Sequence, residues 1–161
     1  MKVLRVPLKL KFYYLLSLFV QNKKTPGFNE DFPKDIRKGE EFSLDKLKAY
    51  LKINNIKVHL ETSGAYDLTG SYDWICLSPK KRKLPKKEIY KKANELKIIA
   101  YNKSDFKFAL QEEKKVNDNC KLFIQPEWSK FDEIKKDIVK FVKENPKWSV
   151  SLQTHKYLEI D

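Results

Sequence analysis

Trp74-Ile75-Cys76-Leu77-Ser78-Pro79-Lys80 is the stretch that decides the fold. It opens on an unbroken apolar run, Trp74 to Leu77, that suits a strand covered on both faces, as strands of parallel sheets are. Ser78, Pro79 and Lys80 then end it on polar ground. Pro85 follows, placed to occupy the first position of a helix. A buried strand feeding a helix is half of a βα unit, and the flanking sequence repeats it.

Upstream, Ser43 can cap a helix in which Leu44, Leu47 and Leu51 share a face, ended by Asn54 and Asn55. Ile56, Val58 and Leu60 then alternate as a strand running into Glu61-Thr62-Ser63-Gly64. Downstream, Ile89, Ala93 and Leu96 keep helical spacing, and residues 98–101 read as the next strand. Ser104 can cap a helix reaching about Val116. Leu122-Phe123-Ile124 predicts a strand ending in Gln125-Pro126-Glu127. Ser129 with Asp132 resembles a capping box for a helix that turns Phe131, Ile134 and Ile138 inward. Asn145-Pro146 stops it, and Trp148, Val150 and Leu152 predict a last strand delivering Gln153, Thr154, His155 and Lys156.

Strands alternating with amphipathic helices through short loops predict an α/β fold with a parallel sheet and right-handed crossovers. In such sheets ligands gather at the carboxyl ends of the strands. The polar clusters at 61–64, 78–80, 125–127 and 153–155 all fall at such ends, which predicts one pocket lined by the four.

Composition bounds the rest. A chain of 161 residues is one ordinary domain, and 41% hydrophobic with 13% aromatic residues excludes wholesale disorder. Its 4 glycines stand far apart, which excludes a glycine-rich phosphate loop. Cys76 and Cys120 form no CxxC, and reduced cysteines fit a cytoplasmic protein. A net charge of +12 would suit a polyanion, but lysine carries it and spreads over every predicted helix, with Arg only at 5, 37 and 82. A solvated surface is the first reading.

Residues 1–36 differ in character. The apolar core at 12–20 is about half of the roughly 20 residues that span a bilayer. No small-x-small cleavage site follows before Lys23 and Lys24, so a strand or short buried helix is expected, then a loop over 21–35.

Among candidate chemistries, His59, Glu61, Cys76, Glu127 and His155 are conceivable metal ligands, yet no helical HxxxH or CxxC supports them. A serine hydrolase finds no GxSxG elbow, because Ser78 precedes proline. Lys80 is the best cation for an anionic group; equally, it starts a basic loop over 80–87 that could touch RNA. Trp128 and Trp148, at helix–strand junctions, read as core rather than stacking platforms.

Residues 59–81 (HLETSGAYDLTGSYDWICLSPKK), 93–106 (ANELKIIAYNKSDF), 122–130 (LFIQPEWSK) and 145–158 (NPKWSVSLQTHKYL) resemble 7-carboxy-7-deazaguanine synthase. The likeness runs over about 44–161, in order. It implies parallel βα units forming part of an incomplete TIM-like barrel, with residues 43–161 as its C-terminal part and 1–42 an atypical segment. It further implies radical S-adenosylmethionine chemistry on 6-carboxytetrahydropterin in the queuosine pathway, with a [4Fe-4S] cluster and Mg²⁺, in a cytoplasmic homodimer that binds neither membrane nor, directly, nucleic acid. Carried over motif by motif, Ser78, Pro79, Lys80, Gln125, Pro126, Glu127 and Trp128 would contact S-adenosylmethionine. Asp161 stands at the chain terminus, where the family usually ends in proline and contacts the pterin.

The likeness has a gap. Residues 1–75 hold no cysteine, so the CxxxCxxC that carries the cluster is absent. Arg37-Lys38-Gly39-Glu40-Glu41 lies near the place of the glycine-rich Thr-Gly-Gly-Glu-Pro strand end but lacks its Thr and Pro. The expectation is the C-terminal part of such an enzyme, its first half lost or replaced, and inactive alone. The alternatives are a non-catalytic ligand-binding half-barrel and a basic RNA-binding module.

Overall fold

The computed structural model describes residues 57–68 and 71–159, together with residue 53 and a strand at 3–7. The chain divides after Leu60 into two compact units, residues 1–60 and 61–161. In the first, β1 (Val3–Pro7) overlaps only the start of the 4–20 stretch expected to form a strand or short buried helix, whose apolar core at 12–20 lies outside the described residues. The expected helix from Ser43, the loop at 21–35 and the 42/43 boundary lie outside the described residues. β2 (Lys57–Thr62) runs across the division, and its Leu60 and Thr62 are buried.

The second unit is a parallel βα array. After β2's last residues come β3 (Trp74–Leu77), α1 (Lys87–Lys92), β4 (Glu95–Ala100), α2 (Ser104–Glu113), β5 (Lys121–Pro126), a single 3₁₀ turn (Trp128–Lys130), α3 (Phe131–Glu144), β6 (Trp148–Val150) and a helical turn, α4 (Thr154–Tyr157). β3, β4, β5 and β6 pair in parallel in chain order; Glu95 stands opposite Lys121, and Leu122 opposite Trp148. Parallel neighbours need crossovers, and α1, α2 and α3 supply them.

Period-2 alternation sorts the strand side chains. Leu77, Leu96, Ile98, Ala100, Leu122 and Ile124 bury on the face that meets Ile89, Tyr90, Ala109, Ile134, Ile138 and Phe141 of the helices. Leu77, Leu96, Ile98 and Ile124 are essentially inaccessible, so each contributes about 1.5–3 kcal/mol by leaving water.

Several boundaries differ from expectation. α1 ends at Lys92 and Ala93 is already extended, so Leu96 belongs to β4 and not to the helix. The helix-like spacing of Ile89, Ala93 and Leu96 arises because the helix and the following strand face one core. Pro85 lies ahead of the helix, two residues before its first position, where it packs near Gly64. Lys103 and not Ser104 is the N-cap of α2, which ends at Glu113. Ser129 lies inside the 3₁₀ turn and donates to Glu127, while Asp132 takes Lys135, so no capping box forms. Leu152 is exposed beyond the short β6. Among the described residues no helix is long and apolar enough to cross a membrane.

Candidate functional site

The end of β2 is hooked onto the end of β3. Ser78 N donates to Thr62 O (2.7 Å), and Thr62 Oγ1 accepts from Gly64 N (3.0 Å). Gly64 sits at φ +69°, and a Cβ there would lie 2.6 Å from Leu77 Cδ1 and 2.8 Å from Pro85 Cβ. Ser78 and Pro79 are buried, and the Lys80 ammonium lies 3.1 Å from Ser78 Oγ. Lys83 N returns to Lys80 O (3.1 Å), closing a tight turn.

Across β4 lies the end of β5. Gln125 and Pro126 are buried, and the Gln125 carboxamide oxygen accepts from Ser151 Oγ (3.3 Å). Glu127 N donates to Ala100 O (2.9 Å), drawing this end against β4. The Ser129 hydroxyl holds the Glu127 carboxyl below its ordinary range. β3 ends at Leu77 opposite Leu96 and β5 at Pro126 opposite Ala100, so residues 78–80 and 125–127 follow the strands on either side of β4.

The tail departs from the sequence reading. Thr154, His155 and Lys156 are exposed on α4, a turn that follows β6 instead of ending it, so residues 153–155 are not a strand end. Aromatic packing holds the turn: the Tyr157 ring meets Trp128 edge-on at 4.9 Å and Phe131 at 5.7 Å. The Lys156 ammonium lies 5.3 Å over Trp128. Trp128 keeps 37% exposure, so it is a surface platform, whereas Trp148 is core as expected. Asp161 lies outside the described residues.

The sheet face away from the helices is polar at its centre. Glu95 accepts from Trp74 Nε1 (3.1 Å) and Cys76 Sγ (3.2 Å), while Lys97 Nζ meets Glu61 Oε1 at 2.6 Å. The sequence reading missed Glu95 and Lys97. The signal was present in Glu95-Leu96-Lys97-Ile98, where charges alternate with core residues. Burial, then the neighbouring Glu95 carboxylate, pushes the Cys76 thiol up. Burial also pushes Cys120 up, to about 11. Of the five conceivable metal ligands, Glu61 is taken by Lys97, Cys76 by Glu95 and Glu127 by Ser129, while His155 is exposed.

Two concavities lie elsewhere: about 670 Å³ along the lysine-rich outer side of α3, and about 580 Å³ beside Asn117, Cys120 and Lys121, at the opposite strand ends. In the basic loop, Lys81 pairs with Asp105, Lys86 with Asp67, and Lys83 lies over the Tyr66 ring.

Chemically, the segments that follow β3 and β5, on either side of β4, carry a hydroxyl, an ammonium, a carboxamide and a carboxylate. That set suits a ligand bearing both charges and several hydroxyls. It does not suit an iron–sulfur cluster, which takes at least three thiolates, because the sequence has two cysteines and both are buried and held protonated. Nor do the described residues gather three or more His, Cys, Asp or Glu for a metal ion.

No family model matches the chain. It is 57% identical over 124 residues to 7-carboxy-7-deazaguanine synthase of Flavobacterium psychrophilum, covering 76% of this chain and 59% of that protein. The enzyme of the same name from Synechocystis sp. is 44% identical over 117 residues, covering 73% of this chain and 56% of its own. A crystal structure of QueE from Escherichia coli superposes with a TM-score of 0.56 at 23% identity, over 66% of this chain and 49% of that one. The chain thus spans a little over half the length of the curated relatives it matches. The structural likeness bears out the fold: parallel βα units forming part of an incomplete TIM-like barrel.

Proposed function

We propose that this chain, a homologue of the 7-carboxy-7-deazaguanine synthases, is the part of such an enzyme that holds S-adenosylmethionine and faces the pterin. In the whole enzyme the reaction converts 6-carboxytetrahydropterin to 7-carboxy-7-deazaguanine in queuosine biosynthesis, by radical S-adenosylmethionine chemistry in a cytoplasmic homodimer. What supports the reading is the 57% identity together with two polar motifs that follow the strands on either side of β4. Ser78 and Lys80 offer a hydroxyl and a cation to the carboxylate and ribose, Gln125 and Glu127 bind and orient from the far side, and Pro79, Pro126 and Trp128 supply apolar walls. The terminal carboxylate at Asp161 is the proposed pterin contact.

The cysteine content sets this chain apart from a complete enzyme. With two protonated, separated thiols it has no means of holding the [4Fe-4S] cluster, and the described residues offer no Mg²⁺ set. By itself the chain binds ligand without turning it over, which is the non-catalytic half-barrel reading. An RNA-binding role is weakened because Lys81, Lys83 and Lys86 already have internal partners.

Titration calorimetry with S-adenosylmethionine on the full chain tests this. Saturable binding is expected, weakened about tenfold in an S78A/Q125A variant that loses two polar contacts. Anaerobic reconstitution with iron and sulfide is expected to give no cluster absorbance and no 5′-deoxyadenosine. Absence of binding would sink the site; 5′-deoxyadenosine would sink the claim of inactivity.

A further inference from the structure

Lys80 and Lys81 are adjacent in sequence but serve different ends of the loop after β3. Lys80 turns back to Ser78, while Lys81 reaches across to the first turn of α2. There its ammonium meets Asp105 Oδ1 at 2.6 Å and Ser104 Oγ at 2.7 Å, and it lies 5.7 Å over the Phe108 ring. Asp105 is itself fixed: its Oδ2 accepts from Tyr101 N (2.8 Å) and Asn102 N (2.9 Å), the first amides after β4. The Asp105 side chain is only 11% exposed against 43% for Lys81. One carboxylate therefore joins the start of α2, the exit of β4 and the 78–83 turn.

The geometry points to Lys81 as a positioning residue: through Asp105 it fixes the loop that carries Ser78, Pro79 and Lys80 against the exit of β4. Its functional meaning rests on the proposed S-adenosylmethionine contact, whereas the tether itself does not. The other side of the site leans on the same segment, since Glu127 N bonds to Ala100 O and the Lys130 ammonium lies 5.6 Å over the Tyr101 ring. Both binding motifs thus take their spacing from residues 100–105. Lys81 is the cation that ties the first of them there. Removing its charge frees the turn but leaves Asp105 with its two backbone donors, so α2 keeps its start.

The test is hydrogen exchange on the full chain without ligand, comparing wild type, K81M and K81R. Methionine keeps the stem over Phe108 and removes the ammonium. In K81M the amides over 78–83, including Ser78 and Lys83, should exchange roughly tenfold faster, since local opening loses one charged tether. Amides of α2 should stay unchanged, and K81R should resemble wild type. Unchanged exchange over 78–83 in K81M overturns the proposal, and so does a uniform loss of protection across the sheet, which would make Lys81 a general stabiliser.

Titration with S-adenosylmethionine is the second arm. K81M should bind more weakly by a similar factor, with recovery in K81R. K81M binding as tightly as wild type overturns the positioning role. If wild type itself fails to bind, the S-adenosylmethionine reading falls, and the exchange data still decide whether Lys81 holds the loop.

Discussion

At the scale of single residues, Gly64 carries a constraint that no side chain could meet. Its φ of +69° is left-handed, and the space where a Cβ would point is taken by Leu77 and Pro85. Leu77 could shift its terminal methyl, but Pro85 is a ring fixed to the backbone, and Lys86 N is bonded to Gly64 O at 2.9 Å. Gly64→Ala should lower unfolding stability by about 2–4 kcal/mol, from left-handed strain plus overpacking. Urea denaturation measures it, and an unchanged midpoint would show that the hook relaxes freely. The sequence showed Gly64 only as the last residue of a polar cluster. Its conformation depends on Leu77 and Pro85, well downstream, and periodicity carries no such information.

At the scale of elements, the start of α2 depends on one ionised carboxylate. Burial raises the Asp105 carboxyl, but the Lys81 ammonium and the Asn102 and Tyr101 amides outweigh it, and the net position is below the ordinary value. A lowered folded value means that the group's contribution is complete above the unfolded carboxyl range, about pH 4, and fades as pH falls through the folded value. Asp105→Asn should therefore be less stable than wild type at pH 6, with the gap closing on acidification below about pH 4. Thermal unfolding across that range measures it; a gap independent of pH would mean that the charge is not what matters. α1 shows the complementary case. Six residues are too few to hold a helix alone. It stands because Ile89 and Tyr90 bury, and because the Tyr90 hydroxyl donates to the buried Glu112 carboxylate of α2. The sequence located α1 by its apolar spacing but overran its end, since Leu96 faces the same core from a strand.

At the scale of the whole molecule, the order of strands and helices from β2 to β6 was legible from alternation and punctuation alone. Those signals are local, and each strand's polar end is written beside its apolar run. The long-range pairings were not legible: Lys97 with Glu61, Lys81 with Asp105, Tyr157 with Trp128. Each depends on which strand lies next to which and in what register, and that is fixed only when the sheet assembles.

The seating of the tail also gives the chain an optical reporter of its own. It has three tryptophans: Trp74 and Trp148 donate their indole N–H to Glu95 and Glu113, and Trp148 is buried in the core. Trp128 is partly in water, under the Lys156 ammonium and edge-on to Tyr157. Its emission should lie to the red of the core indole, so W128F should move the maximum to the blue. Y157A should alter the spectrum only while Trp128 is present, and an equal change in Y157A with and without W128F would show that the turn rests elsewhere. Fluorescence then reports whether the turn is seated on Trp128, with no label added.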